Sequence, residues 1–219
     1  MILKLKYPLT LIVAGTSICE KCTFVIRLLE CWEKICDFPF EIMVWYHSER
    51  NAPHHLNSIS FVKGVPDFEN TKNIPTPMVF DDLMDSSNFT KESLLFTKRS
   101  RNRNISLIRI TQNLFHQDNS SLDISLNSKY IVVCKIPRDK IQIVHLARKV
   151  YTEHISSFHK TYLEVCKDTH TYLFLGLTQS INDLLRFRTK IFPCEITELF
   201  APVRGNEPVA VAATLPSRT

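Results

Sequence analysis

The sequence predicts an α/β domain with a mostly parallel sheet and flanking helices, and three features lead to it. Leu9-Thr10-Leu11-Ile12-Val13-Ala14 is a continuous apolar run between Pro8 and Gly15, the pattern of a strand buried on both faces. Phe24, Val25, Leu28, Leu29, Trp32, Ile35 and Cys36 then recur at three- and four-residue spacing, which marks one face of a helix that ends before Pro39. Further short apolar runs alternate with helical stretches, an order that implies βαβ units, parallel strands and right-handed crossovers.

Along the chain, residues 40–46 read as a second buried strand and Ser60-Phe61-Val62 as a short third one. A polar connection runs from Pro66 to Pro77, and Met78-Val79-Phe80 forms the next strand. Residues 93–98 read as the end of a helix. Ile105 to Thr111 is a strong strand through Ile105, Leu107, Ile108 and Ile110, and residues 130–134 make one more. After Pro137, the spacing of Ile141, Val144, His145, Ala147 and Val150 predicts a helix with Asp139 near its N-terminus. A second helix around residues 158–165 precedes a strand at residues 172–177. The expected organisation is one domain over residues 1–200 and a tail over residues 201–219. Pro202, Gly205, Pro208 and Pro216 leave that tail without a period, so it is expected to be mobile.

Composition narrows the classes of function. With 44% apolar and 22% charged residues in 219, the chain buries a core and is not a disordered segment. A net charge of +5 permits contact with phosphates without requiring it. No apolar run approaches the ~18–20 residues of a membrane span, so no membrane partner is expected and the chain reads as intracellular, in nucleus or cytoplasm. The seven cysteines are odd in number and sit mostly in apolar runs, which favours reduced thiols.

The candidate chemistry begins after the first strand, with Gly15-Thr16-Ser17-Ile18-Cys19-Glu20-Lys21-Cys22-Thr23. The phosphate-loop pattern G-x-x-x-x-G-K-[ST] uses glycines to let backbone N–H groups curl around phosphates and a lysine to reach the terminal ones. Gly15 and Lys21 fit that pattern. Ser17, Lys21, Cys22 and Thr23 complete the candidate ATP contacts with Gly15. Glu20 stands in place of the second glycine, adding a Cβ and a negative charge where phosphate would sit. Cys22 stands in place of the Mg²⁺-binding hydroxyl, with Thr23 one position later as a substitute only after a shift of register. An ordinary strand-to-helix turn with a surface lysine is the alternative reading of this segment alone.

Met78-Val79-Phe80-Asp81-Asp82 delivers two carboxylates at the C-terminal end of a strand, where open α/β sheets bind ligands. Asp81 is the candidate Mg²⁺ ligand and Asp82 the residue that polarises the attacking water; capping of a following helix is the alternative. Residues 105–111 lead into Gln112-Asn113, amides placed to sense a γ-phosphate or to form a turn. Between these strands Lys98, Arg99, Arg101 and Arg103 crowd into six residues, suited to an arginine acting on a neighbouring subunit's nucleotide, to DNA, or to solvent. Cys19 and Cys22 form a C-x-x-C without a second pair, so the spacing gives no structural zinc site.

These blocks resemble the DNA-packaging ATPases of large double-stranded DNA viruses and of Polinton/Maverick-type transposons, within the FtsK/HerA group of P-loop NTPases. The resemblance covers roughly residues 9–195. It is carried by Val79-Phe80-Asp81-Asp82-Leu83-Met84, Leu95-Phe96-Thr97-Lys98, Arg103-Asn104-Ile105-Ser106, Ile110-Thr111-Gln112-Asn113-Leu114-Phe115, Pro137-Arg138-Asp139-Lys140 and Ile191-Phe192-Pro193. It implies a RecA-like fold and a homo-oligomeric ring that couples ATP hydrolysis to movement of double-stranded DNA into a capsid. It also implies Lys21 as the Walker A lysine, Asp81 as the magnesium aspartate of Walker B, Asp82 as the catalytic carboxylate, Gln112 as the amide sensor and Arg103 as the intersubunit arginine. Departures concentrate in the loop, at Ile18, Glu20 and Cys22, while the strands stay apolar. The expected function is therefore a packaging-type ATPase with hydrolysis weak or lost, or a non-catalytic DNA-binding or ring-assembly subunit on the same fold.

Overall fold

The computed structural model describes residues 4–16, 20–40, 42–48, 59–64, 77–81, 96, 105–115, 124–201 and 209–212. The predicted sheet is present: β1 (Thr10–Ala14), β2 (Met43–His47), β3 (Ile59–Lys63), β4 (Pro77–Asp81), β5 (Ser106–Thr111) and β6 (Tyr130–Cys134) form its parallel half. β7 (Tyr172–Gly176), β8 (Phe187–Thr189), β9 (Glu198–Ala201) and β10 (Val209–Ala212) extend it as antiparallel strands. The strand order is β10-β9-β8-β7-β6-β1-β5-β4-β2-β3.

Strand β1 is buried along its whole length, and its side chains alternate between two cores. Leu11 and Val13 pack with α1 (Lys21–Glu30) and α2 (Trp32–Ile35) on one face. Ile12 and Ala14 pack with α3 (Ile141–Val150) and α4 (Ile155–Val165) on the other. Covering both faces is what a continuous apolar strand requires. The single helix expected up to Cys36 is interrupted at Cys31, where φ −96° and ψ 10° end α1 and start α2.

The sheet is mostly parallel, as expected, and turns antiparallel beyond β6. Two helices, α3 and α4, separate β6 from β7. One helix returns the chain to the starting end of a strand; a second carries it back to the finishing end, so β7 runs down beside β6, pairing Tyr130 with Gly176 and Cys134 with Tyr172. Strands β8 to β10 continue that antiparallel edge. β9 ends at Ala201, and β10 lies within the stretch read as a tail. The helix read at residues 93–98 lies outside the described residues apart from the buried Phe96.

Beneath α1, Arg188 of β8 is 4% exposed, and its guanidinium lies 4.7 Å from the Phe174 ring centroid. Its Nε and Nη2 have no hydrogen-bond partner among the described residues, and burial pushes its pKa down to about 10. Tyr172 shares this face, its hydroxyl accepting from the Ile191 N–H at 3.0 Å.

Candidate functional site

Register brings the candidate residues to one edge. β1 lies between β5 and β6, where strand order reverses, and Ala14 pairs with Thr111 of β5 and Val133 of β6. Asp81 at the end of β4 pairs with Ile110 of β5 and His47 of β2. Gly15, Asp81, Gln112 and the turn after β6 therefore meet at the carboxyl edge of the sheet, the general ligand position of open α/β folds.

The loop is tied down on both sides. Gly15 N–H donates to the Thr111 carbonyl at 3.2 Å, and the Thr16 hydroxyl reaches the Lys135 carbonyl at 3.5 Å. Lys21, at the first turn of α1, is 7% exposed, and its ammonium donates to the carbonyls of Gly15 and Thr16 at 2.8 Å each. The predicted phosphate ligand thus closes the loop on itself. Glu20 precedes α1 with φ 58° and ψ 31°, a left-handed conformation that costs a residue with a Cβ about 1–2 kcal/mol and costs glycine almost nothing. Glu20 thus holds a backbone conformation that glycine adopts more readily. The Glu20 carboxylate pairs with His170 Nδ1 at 3.0 Å, both side chains being about half-exposed.

On the opposite side of α1's first turn, Cys22 Sγ lies 3.8 Å from Asp81 Oδ2, and the Trp45 indole N–H donates to the same oxygen at 3.3 Å. Thr23 is exposed, so it is Cys22 that meets Asp81 and the register shift considered for Thr23 does not occur. The donor set decides what cation suits this spot. Mg²⁺ takes oxygen ligands in near-ideal octahedra, and a thiol is a soft donor. The Cys22–Asp81 pair does not fit Mg²⁺. Lys21 places a buried cation beside Gly15, a charge that suits a phosphate group.

A cleft of about 410 Å³ opens beside the loop, lined by Thr16, Gln112, Asn113, Pro137, Arg138 and Gln142 among others. Its wall is braced by Gln142, which is buried in the first turn of α3. Gln142 Oε1 accepts from Leu114 N–H at 2.9 Å, and its Nε2 donates to Asn113 Oδ1 at 3.2 Å and Asp139 Oδ2 at 2.7 Å. Gln112 lines the cleft at the end of β5, next to the braced Asn113.

Of the predicted site residues, Gly15, Lys21, Cys22, Asp81 and Gln112 converge here. Ser17, Asp82 and Arg103 lie outside the described residues. Sequence reasoning missed Trp45, Gln142 and His170. An indole in a buried strand needs an acceptor, and Gln142 is a polar residue on the apolar face that carries Ile143, Leu146 and Ala147; both were readable signals. His170 has none, because its pairing with Glu20 joins loops 150 positions apart in the chain.

The strand order, the loop between β1 and α1, and the acidic end of β4 define an α/β domain of the P-loop NTPase fold. Among solved structures, the genome packaging NTPase B204 of Sulfolobus turreted icosahedral virus 2 in complex with sulfate is similar, with TM-score 0.53 at 11% identity over 78% of this chain and 92% of that one. The same NTPase in complex with AMPPCP gives TM-score 0.50 at 11% identity over 78% and 93%. At this identity the likeness speaks for the fold. No family model and no curated protein sequence matches the chain.

Proposed function

We propose that this chain is a P-loop ATPase-like protein of the DNA-packaging kind whose altered loop leaves ATP binding weak and hydrolysis weak or lost. The observation that carries the reading is the Cys22–Asp81 contact at 3.8 Å. It joins the helix after the phosphate loop to the acidic strand, as a nucleotide site requires, with a thiol where a hydroxyl belongs. In this reading Lys21 exchanges its two carbonyl partners for phosphate oxygens, and Gln112 faces the phosphates from the end of β5. Asp82 polarises water, and Arg103 reaches the nucleotide of a neighbouring subunit. Bound ATP supplies the free energy of phosphoryl transfer that a packaging motor turns into movement.

The same proposal includes a homo-oligomeric ring on double-stranded DNA, inside the cell in nucleus or cytoplasm, and membership of the FtsK/HerA group as a viral or transposon copy. Calorimetry of Mg·ATP binding, with Lys21→Ala as control, tests the site directly. The double variant Glu20→Gly/Cys22→Thr is expected to gain both affinity and turnover. Absence of any gain refutes the ATPase reading.

One observation favours the second reading, a non-catalytic DNA-binding or ring-assembly subunit. Lys21 already spends two hydrogen bonds on its own loop, which makes the lysine a structural clamp. Double-stranded DNA binding or ring formation that persists in Lys21→Ala, with no gain of ATP binding in the double variant, selects this reading.

A further inference from the structure

We infer that the outer face of α3, with the apolar groove at its far end, docks an acidic segment of another protein that sets a large apolar side chain in the groove. α3 starts at the cleft, which Arg138 and Gln142 line, and its ten residues carry it ~15 Å to the opposite edge of the sheet. There a groove of about 210 Å³ opens between Phe115, Leu126, Leu146, Val150 and Leu177, with Lys149 and Arg186 also on its wall. This surface lies away from the phosphate loop, so the inference goes beyond the nucleotide reading and does not rest on it.

Charge complementarity carries the inference. Ile141, His145, Arg148 and Lys149 are exposed, and their spacing places them in one stripe along α3, which the exposed Arg138 and Lys140 precede. The helix itself holds no carboxylate, and the Oδ2 of the preceding Asp139 is engaged by Gln142. Elsewhere Lys6, Arg27, Lys167, Arg186 and Lys190 each have a carboxylate partner. Among the described residues Arg138, Lys140, Arg148 and Lys149 have none, so this face offers its charge to a partner. The same face is partly apolar. Leu126 and Ile141 are each 62% exposed, and Phe115, Val150 and Leu177 lie half-buried against the core. The Lys149 ammonium stands 4.3 Å over the Phe115 ring, and burial pulls its pKa down. Two observations choose protein over nucleic acid. The groove is walled by aliphatic and aromatic carbon, which gives phosphates nothing to bind. At its end stands Tyr151, whose pKa is raised by burial and then by Asp183 and Glu153; those two charges would repel a continuous run of phosphates. A peptide meets both conditions by laying carboxylates along α3 and one apolar side chain in the groove.

The test is fluorescence anisotropy of the full chain with a labelled peptide of about 12 residues built from Glu and Leu at helical spacing, long enough to follow α3. Two control peptides replace the leucines by serine or the glutamates by glutamine, and a short DNA duplex is the fourth probe. The Glu/Leu peptide is expected to bind at least about tenfold tighter than either control, and more weakly as KCl rises. Arg148→Glu/Lys149→Glu is expected to weaken it by on the order of tenfold or more. Leu126→Ser, at an exposed position and so available should the double variant fail to fold, is expected to weaken it severalfold. Mg·ATP affinity is expected to be unchanged in both variants, which separates this outcome from the nucleotide reading. No peptide binding below ~1 mM, or binding indifferent to the leucines or to both variants, overturns the proposal. Duplex DNA that binds more tightly than the peptide, and loses affinity in the charge variant but not in Leu126→Ser, also overturns it and gives the face to nucleic acid. Sedimentation of the chain alone is the last arm: self-association that both variants abolish gives the face to a second copy and overturns it too.

Discussion

Replacing Arg188 with methionine is expected to stabilise the protein. The guanidinium is 4% exposed, with Nε and Nη2 unpartnered among the described residues. Burial above all pushes its pKa well below the usual arginine range, to about 10, with Tyr130 and Tyr172 acting in the opposite direction. That depression corresponds to about 3 kcal/mol against the charged form. For a cation whose folded pKa is lowered, the penalty is fully present below about pH 10 and is relieved as pH climbs from there toward the usual arginine range; at neutral pH it acts in full. Against it stands the Phe174 ring at 4.7 Å, a cation–π contact worth ~1–2 kcal/mol when desolvated. Methionine keeps most of the apolar stem volume and removes the unpaired charge, as in buried ion pairs replaced by apolar isosteres. The net gain is about 1–2 kcal/mol, or roughly 2–8 °C in Tm for a domain of this size. Urea unfolding at neutral pH, with the midpoint rising at unchanged slope, is the assay. A loss of more than ~1 kcal/mol would refute the reasoning, since it would mean the guanidinium has partners whose removal leaves them unsatisfied.

At Glu20, glycine and alanine lose the same His170 pair but differ in tolerance of φ 58°. Glu20→Gly is therefore expected to be more stable than Glu20→Ala by about 0.5–1 kcal/mol, the left-handed strain less the extra unfolded-state entropy of glycine; equal thermal midpoints would show that the loop does not hold this backbone. Gln142→Ala removes three hydrogen bonds, one of them to the buried Leu114 N–H. A loss of about 2–3 kcal/mol and faster hydrogen exchange at Leu114 are expected. Stability is also expected to fall above about pH 9. Burial raises the Tyr130 and Tyr172 phenols above 10.0 and the Cys36 thiol above 9.0, so the native state holds protons that the unfolded chain gives up. A urea midpoint that stays flat from about pH 8 to about pH 11 counts against those buried groups.

The sequence by itself determined the parallel half of this fold. Apolar runs at residues 9–14, 78–80, 105–111 and 130–134 are strands covered on both faces, and one helical period after Gly15 carries Lys21 to the sheet edge. Those features are local, because burial on two faces and a 3.6-residue period leave their mark within a few residues. Gly15, Lys21, Cys22 and Asp81 were legible for the same reason.

What only the tertiary structure decided depends on register between distant strands. It turned β7 antiparallel through a second helix, continued the edge to β10, and set Cys22 rather than Thr23 against Asp81. It also folded Lys21 back onto its own loop and turned Glu20 toward His170. A hydrogen bond between residues 59 positions apart has no period in the sequence, since its partners are chosen by how the sheet stacks and not by their neighbours along the chain.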